Sequence, residues 1–240
     1  MIVLFTDFGS HDLYVGQVKG VLGALAPRVP VVDALHDAAD FGIEPAAHLL
    51  AALAPEYPRG SIFLTVVDPG VGGRRDAIVV KADGRTFVGP DNGLLSILWQ
   101  RARRRKCFRI VWKPQRLTRS FHGRDLFAPV AAALAAKRLP KNWLKAKRAP
   151  DALLDARDLA QVIYVDHYGN CVTGIRAQTL ARTAALCAGA RVVRYARTFE
   201  AAHGAFWYEN SLGLAEIALP RGSAARTLGL RVGYAIRIAR

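Results

Sequence analysis

The chain has 240 residues, of which 52% are hydrophobic and 22% are charged, and its formal net charge is +15. This composition excludes an intrinsically disordered chain and suffices for one large globular domain or two smaller ones. No run of about 18 uncharged apolar residues occurs, so we expect no membrane-spanning helix. The apolar start, MIVLFTDFGSHD, has no basic segment before it and predicts a first β-strand rather than a signal peptide.

Along residues 1–150, β-like and helical patterns alternate. The first strand is followed by HDLYVGQVKGVLGALAP, whose apolar residues recur at helical spacing, and then by the apolar run VPVVDAL. An Ala/Leu-rich helical stretch precedes the next run, SIFLTVV, and a tight hairpin is predicted at Asp83 and Gly84. Strands that alternate with helices predict an α/β domain with a central mixed sheet.

The second part of the chain has a different texture. A charged stretch rich in Pro and Ala, near residues 145–159, predicts a linker. Residues 158–240 contain β-like runs separated by turn dipeptides, and only RAQTLARTAAL and GSAARTLGL favour helices. This half predicts a smaller, antiparallel β-barrel domain.

The cysteines and histidines argue against a metal or disulfide scaffold. Cys107, Cys171 and Cys187 are far apart and odd in number, which does not suit a disulfide framework or a Cys-rich zinc site. We expect three small buried side chains in a protein of the reducing cytoplasm. The six histidines lack metal-ligand spacing, so no metal site is predicted.

Four loops of the first domain combine Gly with a carboxylate or a His: residues 6–12, 67–75, 89–93 and 120–125. Loops that follow strands converge at one edge of an α/β sheet, so we expect a site there. The chain lacks the G-x-G-x-x-G, P-loop and G-x-S-x-G motifs, which excludes the usual dinucleotide, phosphate and serine-hydrolase signatures.

Six segments carry a resemblance to a known family: TDFG…YVGQVKG, VVDPGVGGRR, FVGPDNGLL, FHGRDLFAPVAA, DHYGN and ENSLGLAEIA. In this order they resemble the S-adenosyl-L-methionine (SAM) hydrolase (adenosine-forming) family, also called SAM hydroxide adenosyltransferases. These are relatives of the SAM-dependent fluorinase and chlorinase. The resemblance implies an α/β domain (1–150) and a β-barrel domain (158–240) that completes the site for adenine and methionine. It also implies homotrimers whose active sites lie between one subunit's N-terminal domain and a neighbour's C-terminal domain.

The resemblance implies an activity and a catalytic trio. SAM, the substrate, is hydrolysed to adenosine and L-methionine by in-line attack of water at ribose C5′, and no cofactor is expected. Asp68, Arg75 and His122 match the residues that act on the water, although Arg74 is an adjacent rival for Arg75. The sequence does not assign the proton to one of the three. Asp7 matches the residue that binds the ribose hydroxyls.

Further substrate contacts follow from the resemblance in the second half of the chain. Asp166 and Ser211 match residues that hold the amino acid part of methionine, and Asn170 matches one that contacts adenine. Phe199 or Tyr195 is a candidate for stacking on the adenine, with a place in the barrel core as the other interpretation.

Two alternatives stay open. The first is a SAM-dependent halogenase on the same scaffold, against which the presence of all three catalytic residues argues. The second is a non-catalytic module that senses SAM or a nucleotide and has nucleic-acid affinity through the basic run 101–119, which has nine Lys/Arg and no Asp/Glu. A solvated basic face is the simpler interpretation of that run, so nucleic acid is not the favoured partner.

Overall fold

A computed structural model describes residues 1–239 as two compact units. One unit is formed by Met1–Ala47 together with Tyr57–Ala156. The other is formed by His48–Glu56 together with the chain from Arg157 onward.

The first unit is built on a mixed seven-stranded sheet in the order β2-β1-β3-β5-β4-β6-β7. β1 runs parallel to β2 and β3, and β3 runs parallel to β5, whereas β4, β6 and β7 are joined antiparallel. The strands are β1 (Ile2–Thr6), β2 (Val31–Leu35), β3 (Ile62–Val66), β4 (Ala77–Ala82), β5 (Arg85–Pro90), β6 (Arg105–Ile110) and β7 (Leu144–Lys147).

Helices cover this sheet and close its core. The α-helices of this unit are α1 (Leu13–Leu25), α3 (Ser96–Arg101) and α4 (Ala128–Ala135), and a 3₁₀ turn spans Lys141–Trp143. The helix α2 (Ile43–Leu53) begins in this unit, and its second half and the 3₁₀ turn Ala54–Glu56 belong to the other one. A π-helical turn, Gly123–Phe127, leads directly into α4. Leu4 of β1, Leu22 of α1 and Val130 of α4 are fully buried in one apolar cluster, and burial of this kind stabilises by about 25 cal/mol per Å² of apolar surface.

The parallel pairing of β1 with β3 positions the site. Thr6, the last residue of β1, is in register with Val66, the last residue of β3. The Asp7 N–H donates to the Val66 carbonyl at 3.2 Å, which ties the start of one loop to the end of the other strand. The loops that follow β1 and β3 therefore leave the sheet side by side at one edge.

The second unit is a strongly curled seven-stranded sheet in the order β14-β10-β11-β12-β13-β9-β8. All pairs are antiparallel except β11 with β12. Its elements are β8 (Leu159–Val165), β9 (Cys171–Arg176), the 3₁₀ turn Ala177–Thr179, β10 (Ala185–Ala188), β11 (Arg191–Tyr195), β12 (Phe206–Glu209), β13 (Leu214–Ala218), the helix α5 (Ala224–Leu228) and β14 (Arg237–Ala239).

Backbone hydrogen bonds draw the two ends of this sheet toward each other. The N–H of Val162 on β8 donates to the Tyr234 carbonyl at 2.9 Å, and the N–H of Ile236 donates to the Ala160 carbonyl at 2.8 Å. The predicted fold class, a mixed α/β domain followed by a smaller, mostly antiparallel curled sheet, is confirmed.

One predicted helix is wrong. RAQTLARTAAL forms only the 3₁₀ turn Ala177–Thr179 and then enters β10. β10 is buried along its whole length and pairs with both β11 and β14. This tertiary pairing overrides the helix propensity of its alanines. At the predicted linker, residues 145–147 form part of β7.

All three cysteines lie among the described residues, and each is a buried, free thiol. Burial raises the pKa of Cys107 to about 11 and that of Cys171 to about 12. These thiols are therefore protonated and unreactive at neutral pH, as expected for small core side chains. Within residues 1–239, no helix has the length and apolar character needed to cross a membrane.

Candidate active site

A cavity of about 490 Å³ lies at the edge of the first sheet where the loops after β1 and β3 emerge. Its walls come from four segments of the chain: the loop after β1 with the start of α1, residues 40–41 before α2, the end of β3 with the loop after it, and residues 120–123 at the start of the π-helical turn. The lining residues include Asp7, Phe8, Asp12, Tyr14, Asp40, Phe41, Asp68, Val71, Phe121 and His122.

Asp68, Arg75 and His122 are in direct contact, although His122 is 47 positions from Arg75 along the chain. The Arg75 Nε–H donates to Asp68 Oδ1 at 2.8 Å, and Nη2 donates to the second oxygen, Oδ2. The same Nη2 lies 3.1 Å from His122 Nδ1. The guanidinium thus binds the carboxylate through a two-pronged, charge-assisted pair and also reaches the imidazole.

This contact determines the protonation of His122. A guanidinium has only donors, so His122 Nδ1 must accept, and the neutral ring carries its proton on Nε2. Burial, together with the positive charge of Arg75, lowers the pKa of His122 below its ordinary value of 6.5. His122 is therefore neutral at pH 7.

Arg75 acts from behind the other two residues. Asp68 and His122 line the cavity, whereas Arg75 is not among its lining residues in the described chain. The guanidinium carbon lies 5.4 Å from the centre of the Phe127 ring, a cation–π distance. The rival residue, Arg74, is exposed.

A glycine allows the loop after β3 to touch the segment that precedes His122. Gly72 has φ +79°, and a Cβ added there would overlap the Arg119 carbonyl oxygen. Only glycine tolerates both the left-handed backbone and the close approach. Gly72 therefore lets the loop that carries Asp68 and Arg75 pack on the segment that precedes His122.

The loop around His122 is fixed by Asp125. Thr118 donates to the Asp125 carboxylate from its backbone N–H at 2.8 Å and from its hydroxyl at 2.6 Å, and Arg124 donates from Nε at 2.6 Å. Burial by itself raises the pKa of Asp125, but the bonds from Arg124 and Thr118 lower this pKa to about 2. Arg124 also donates to Gln17 at 2.8 Å, so α1 anchors this loop.

Asp7 faces the cavity from the end of β1. Its carboxylate accepts the Phe41 N–H at 3.3 Å, and burial raises its pKa, with the charges of Asp40 and Asp68 adding to the increase. Phe41 has φ +57° and is 73% exposed at the cavity wall. Four carboxylates, and no Lys or Arg, belong to the described cavity lining. The cavity is thus an acidic site on a basic protein, and it suits a cationic ligand.

A hydrogen-bonded network that the sequence analysis missed holds the loop after β1; it is buried at Thr6 and His36 and exposed at Asp33 and Lys19. Thr6 Oγ1 lies 2.8 Å from His36 Nδ1, and His36 Nε2 lies 3.0 Å from Asp33 Oδ1. Lys19 on α1 donates to the other Asp33 oxygen at 2.6 Å. Because Thr6 is followed directly by Asp7, this chain of contacts fixes the starting point of the cavity wall. The sequence gives no signal for it, since the four residues are scattered.

The second unit has its own cavity, of about 480 Å³, whose lining includes Asn170 and Phe199. The Asn170 side chain and backbone N–H donate to the two oxygens of Asp166 at 2.9 and 2.8 Å. Ser211 is exposed on the turn between β12 and β13. Of the two candidate aromatic residues, Phe199 lines the cavity, whereas Tyr195 packs on Trp207 at 4.9 Å in the core.

Glu216 is a second feature that the sequence analysis missed. It is only 5% exposed on β13, yet its carboxylate accepts the Tyr208 hydroxyl at 2.5 Å and the Asn210 side-chain N–H at 2.8 Å. Asn210 in turn accepts backbone N–H bonds within the turn that carries Ser211, and the Tyr208 ring contacts Phe199 at 5.4 Å. Its position directly opposite Tyr208 on β12 is visible only once the strand register is known.

A group of three carboxylates has the spacing of a metal site. Ligand oxygens of Asp76, Asp91 and Asp151 lie within 4.8 Å of one another. The Lys147 ammonium, however, contacts all three, at 3.0, 3.0 and 2.5 Å, and Arg109 pairs with Asp76 at 3.0 Å. Lysine already supplies the positive charge, so this cluster needs no metal.

Comparison with known proteins places the chain in a family. Residues 2–143 match the SAM hydroxide adenosyltransferase N-terminal domain, and residues 160–237 match the C-terminal domain of the same family. The protein belongs to the SAM hydroxide adenosyltransferase family. The family resemblance drawn from the six sequence motifs is thereby confirmed.

Relatives of this SAM hydroxide adenosyltransferase include hydrolases and, at greater distance, fluorinases. An (R)-S-adenosyl-L-methionine hydrolase of Thermus thermophilus is 38% identical, with 99% of this chain and 98% of the relative covered. A protein of the same name from Salinispora arenicola is 36% identical over 97% of this chain and 95% of its own length. The fluorinase of Actinopolyspora mzabensis is 24% identical over 75% of this chain and 73% of its own length.

Solved structures agree with this placement of the SAM hydroxide adenosyltransferase chain. The crystal structure of an uncharacterized conserved protein from Thermotoga maritima covers 100% of both chains with 28% identity and a TM-score of 0.88. A conserved hypothetical protein from Thermus thermophilus covers 99% of both chains with 35% identity and a TM-score of 0.78.

Proposed function

We propose that this protein is a SAM hydrolase that converts SAM and water to adenosine and L-methionine. The observation that carries the proposal is the contact of Arg75 with both Asp68 and His122 at the wall of an acidic cavity. Its membership of the SAM hydroxide adenosyltransferase family and its full-length similarity to (R)-S-adenosyl-L-methionine hydrolases support the same activity.

The charge of the cavity fits the charge of this substrate. SAM is a sulfonium cation that also carries an ammonium group, and the cavity wall contains Asp7, Asp12, Asp40 and Asp68. The products, adenosine and zwitterionic methionine, have no net charge. The carboxylates therefore attract the substrate more strongly than either product, which favours product release.

The reaction needs a base but no acid. The water oxygen forms a bond to ribose C5′ while the C5′–S bond breaks, and the sulfur keeps the electron pair and leaves as a neutral thioether. The water must lose a proton, and Asp68 accepts it, because Asp68 and His122 both line the cavity while His122 Nδ1 is engaged by Arg75 and Nε2 carries the proton. General-base assistance of this kind contributes roughly 10²–10⁴-fold.

The remaining groups orient the reactants. The His122 Nε2–H donates to the water oxygen, and Arg75 holds Asp68 and His122 in place from behind. Asp7 binds the ribose diol, since a carboxylate accepts two hydroxyl donors well. Fixing water and C5′ in line supplies several kcal/mol more, with a ceiling of about 7–11 kcal/mol.

The second unit supplies the rest of the substrate contacts. Asp166 pairs with the ammonium of methionine and Ser211 binds its carboxylate end, while Asn170 contacts the adenine edge. Phe199 stacks on the adenine ring. The support for these assignments is that Asn170 and Phe199 share one cavity and that Asp166 is hydrogen-bonded to Asn170.

We further propose that the protein acts as a homotrimer in which the second unit of a neighbouring subunit completes the cavity of the first unit. Two apolar side chains next to or within the cavity wall support this assembly, since Leu13 is 63% exposed and Phe41 is 73% exposed. Contact with a neighbouring subunit would remove the apolar surface of these two side chains from water.

The deciding experiment is incubation of the purified protein with SAM, with and without chloride, followed by chromatography. We expect adenosine and methionine in equal amounts, independent of chloride, and a loss of roughly 10²-fold or more in Asp68→Asn. The matched control is Arg74→Ala, an exposed position on the same loop, which should keep wild-type turnover. Chloride-dependent formation of 5′-chloro-5′-deoxyadenosine would identify a halogenase instead, and SAM binding without turnover would refute the hydrolase.

A further inference from the structure

The net charge of the protein is concentrated in one segment. Residues 101–148 hold 16 of the 34 Lys and Arg residues but one of the 19 Asp and Glu residues, a formal charge of +15. The rest of the chain has 18 residues of each sign and is therefore neutral. A general preference for arginine would spread the excess along the whole chain, so the concentration requires a local explanation.

The fold brings the two ends of this segment side by side. β6 and β7 are antiparallel neighbours, with Arg109 directly opposite Lys145. The pairing continues beyond the strands, because the Val111 N–H donates to the Trp143 carbonyl at 2.9 Å. We call β6 and β7, together with the flanking residues 103–104, 111–113, 141–143 and 148, the basic edge.

Within the described chain, the exposed cations of the basic edge lack an ion-pair partner, with the exception of Arg109, which pairs with Asp76. Within residues 1–239, no carboxylate lies within ion-pair distance of seven exposed side chains: Arg103, Arg104, Lys106, Lys113, Lys141, Lys145 and Arg148.

The carboxylates near the basic edge are already engaged. Asp76 pairs with Arg109 and Lys147, each at 3.0 Å. Asp83 accepts the backbone N–H groups of Arg103 and Arg104 at 3.2 and 2.9 Å, which leaves their guanidinium groups free to face solvent. The positive charge of the edge is therefore not neutralised by the protein itself.

Like charges also face each other across neighbouring strands. Lys106 on β6 lies directly opposite Lys81 on β4, and both are exposed. Like charges directly opposite in an antiparallel pair destabilise a sheet. Protection of the sheet edge against aggregation would explain lysines on β7, the last strand, but not those on the interior strands β4 and β6.

We propose that the basic edge binds the phosphate backbone of nucleic acid without sequence specificity. Side chains on one face of a strand are about 6.6 Å apart, and each strand of a duplex carries one phosphate per roughly 3.4 Å of helix axis, so the exposed cations of the edge can contact several phosphates at once. Three of the exposed cations, Arg103, Arg104 and Arg148, are arginines. Their planar guanidinium groups fit phosphate oxygens.

A nucleic acid fits this edge better than an anionic membrane. Among the described residues of the segment, the exposed large apolar side chains are Val111 and Leu117. The α-helix within the segment, α4, is only eight residues long and packs into the core. Apolar side chains that insert beside the charges add strongly to membrane-surface binding, and the described part of the segment presents no amphipathic helix of that kind.

The proposal is tested by fluorescence anisotropy with a labelled 20-base-pair DNA duplex of mixed sequence, at 50 and 200 mM NaCl. We expect micromolar binding at 50 mM that weakens about 40-fold at 200 mM, as three phosphate contacts require. The variant Arg103→Ser/Arg104→Ser/Lys106→Ser should weaken binding at least about tenfold at 50 mM and flatten the salt dependence. This readout is independent of SAM turnover, so its result stands whatever the protein does to SAM.

The matched control carries the same change in net charge elsewhere. Arg191, Arg194 and Arg237 are exposed strand residues of the second unit, and Arg191→Ser/Arg194→Ser/Arg237→Ser should bind the duplex as the wild type does. Equal weakening in both triple variants would show that overall charge alone is at work and would overturn the proposal. So would the absence of binding at 50 mM NaCl, or binding to vesicles of 70% phosphatidylcholine and 30% phosphatidylserine without binding to the duplex.

Discussion

Arg75 determines what Asp68 and His122 can do. The guanidinium takes one lone pair of each Asp68 oxygen and the lone pair of His122 Nδ1. This division leaves the second lone pairs of Asp68 as acceptors and His122 Nε2–H as a donor, and both residues line the cavity. A water between them can then give up a proton to one side while its oxygen is held from the other.

The pH dependence of turnover tests this assignment. Because burial and Arg75 lower the pKa of His122, the ring stays neutral to a pH below 6.5 and the trio survives down to that point. As the pH falls further, Nδ1 gains a proton, the acceptor for Arg75 is lost, and two cations face each other. We expect kcat to decline on the acid side with a midpoint below 6.5, the value of an ordinary histidine.

Measurement of kcat between pH 5 and 8 gives the midpoint of the decline in activity. NMR titration of the His122 ring shows whether this histidine is the titrating group, and its signal is assigned by its loss in His122→Asn. The His122→Asn protein should have lower activity, and its kcat should no longer show the decline at low pH that protonation of His122 causes. A histidine titration midpoint at or above 6.5 would contradict the contact between Arg75 and a neutral ring.

At the scale of loops and strands, one close approach assembles the trio. Alanine at Gly72 would meet the Arg119 carbonyl and would adopt a left-handed backbone that costs about 1–2 kcal/mol. We expect Gly72→Ala to separate the loop after β3 from the segment that precedes His122 and to lower kcat/KM for SAM by about tenfold or more, since 1.4 kcal/mol corresponds to a factor of ten.

The same loop provides the control. Gly70 lies two positions earlier, its φ is not in the left-handed region, and a Cβ there would have no neighbour within 4 Å. Gly70→Ala should therefore retain wild-type kcat/KM. If the two variants had the same activity and the same melting temperature, the close approach at Gly72 would not be what positions the trio.

The same scale shows how far the sequence could predict the protein. Alternating strands and helices predicted the first sheet, because local periodicity reports burial directly. The alanine-rich segment that became β10 was predicted as a helix, because pairing with β11 and β14 is a tertiary effect that local propensity does not contain.

The candidate site was predictable to a similar degree. Motif order singled out Asp68, Arg75 and His122, and the fold brings all three together. The separate roles of these three residues could not be predicted, because they depend on the orientation of the Asp68 carboxylate in the folded protein. Glu216 was invisible for the same reason, because its two partners are defined by the register of β12 with β13.

At the scale of the whole molecule, the charges are unevenly distributed. The cavity wall gathers carboxylates, whereas the basic edge gathers the cations that produce the net charge. At 0.15 M ionic strength the field of exposed charges decays over about 8 Å. A cationic substrate in the cavity therefore experiences mainly the charges close to it, and the described lining contributes four carboxylates and no Lys or Arg.

Mixing of two inactive variants tests whether an active site uses two subunits. Asp68→Asn disables the first unit and Asp166→Asn disables the second, so each homotrimer should be inactive. In mixed trimers, a site that pairs the first unit of one chain with the second unit of its neighbour can be fully native. With random assembly in a head-to-tail ring, about a quarter of the sites would recover, and activity should follow.

The control mixture is Asp68→Asn with His122→Asn, two changes in the same unit. Every first unit in this mixture is defective, so no recovery is expected, although the subunits exchange to the same extent. Light scattering should report the mass of three chains in both mixtures. If trimers form but the first mixture recovers no activity, each active site lies within a single chain. A monomeric mass would refute the trimer itself.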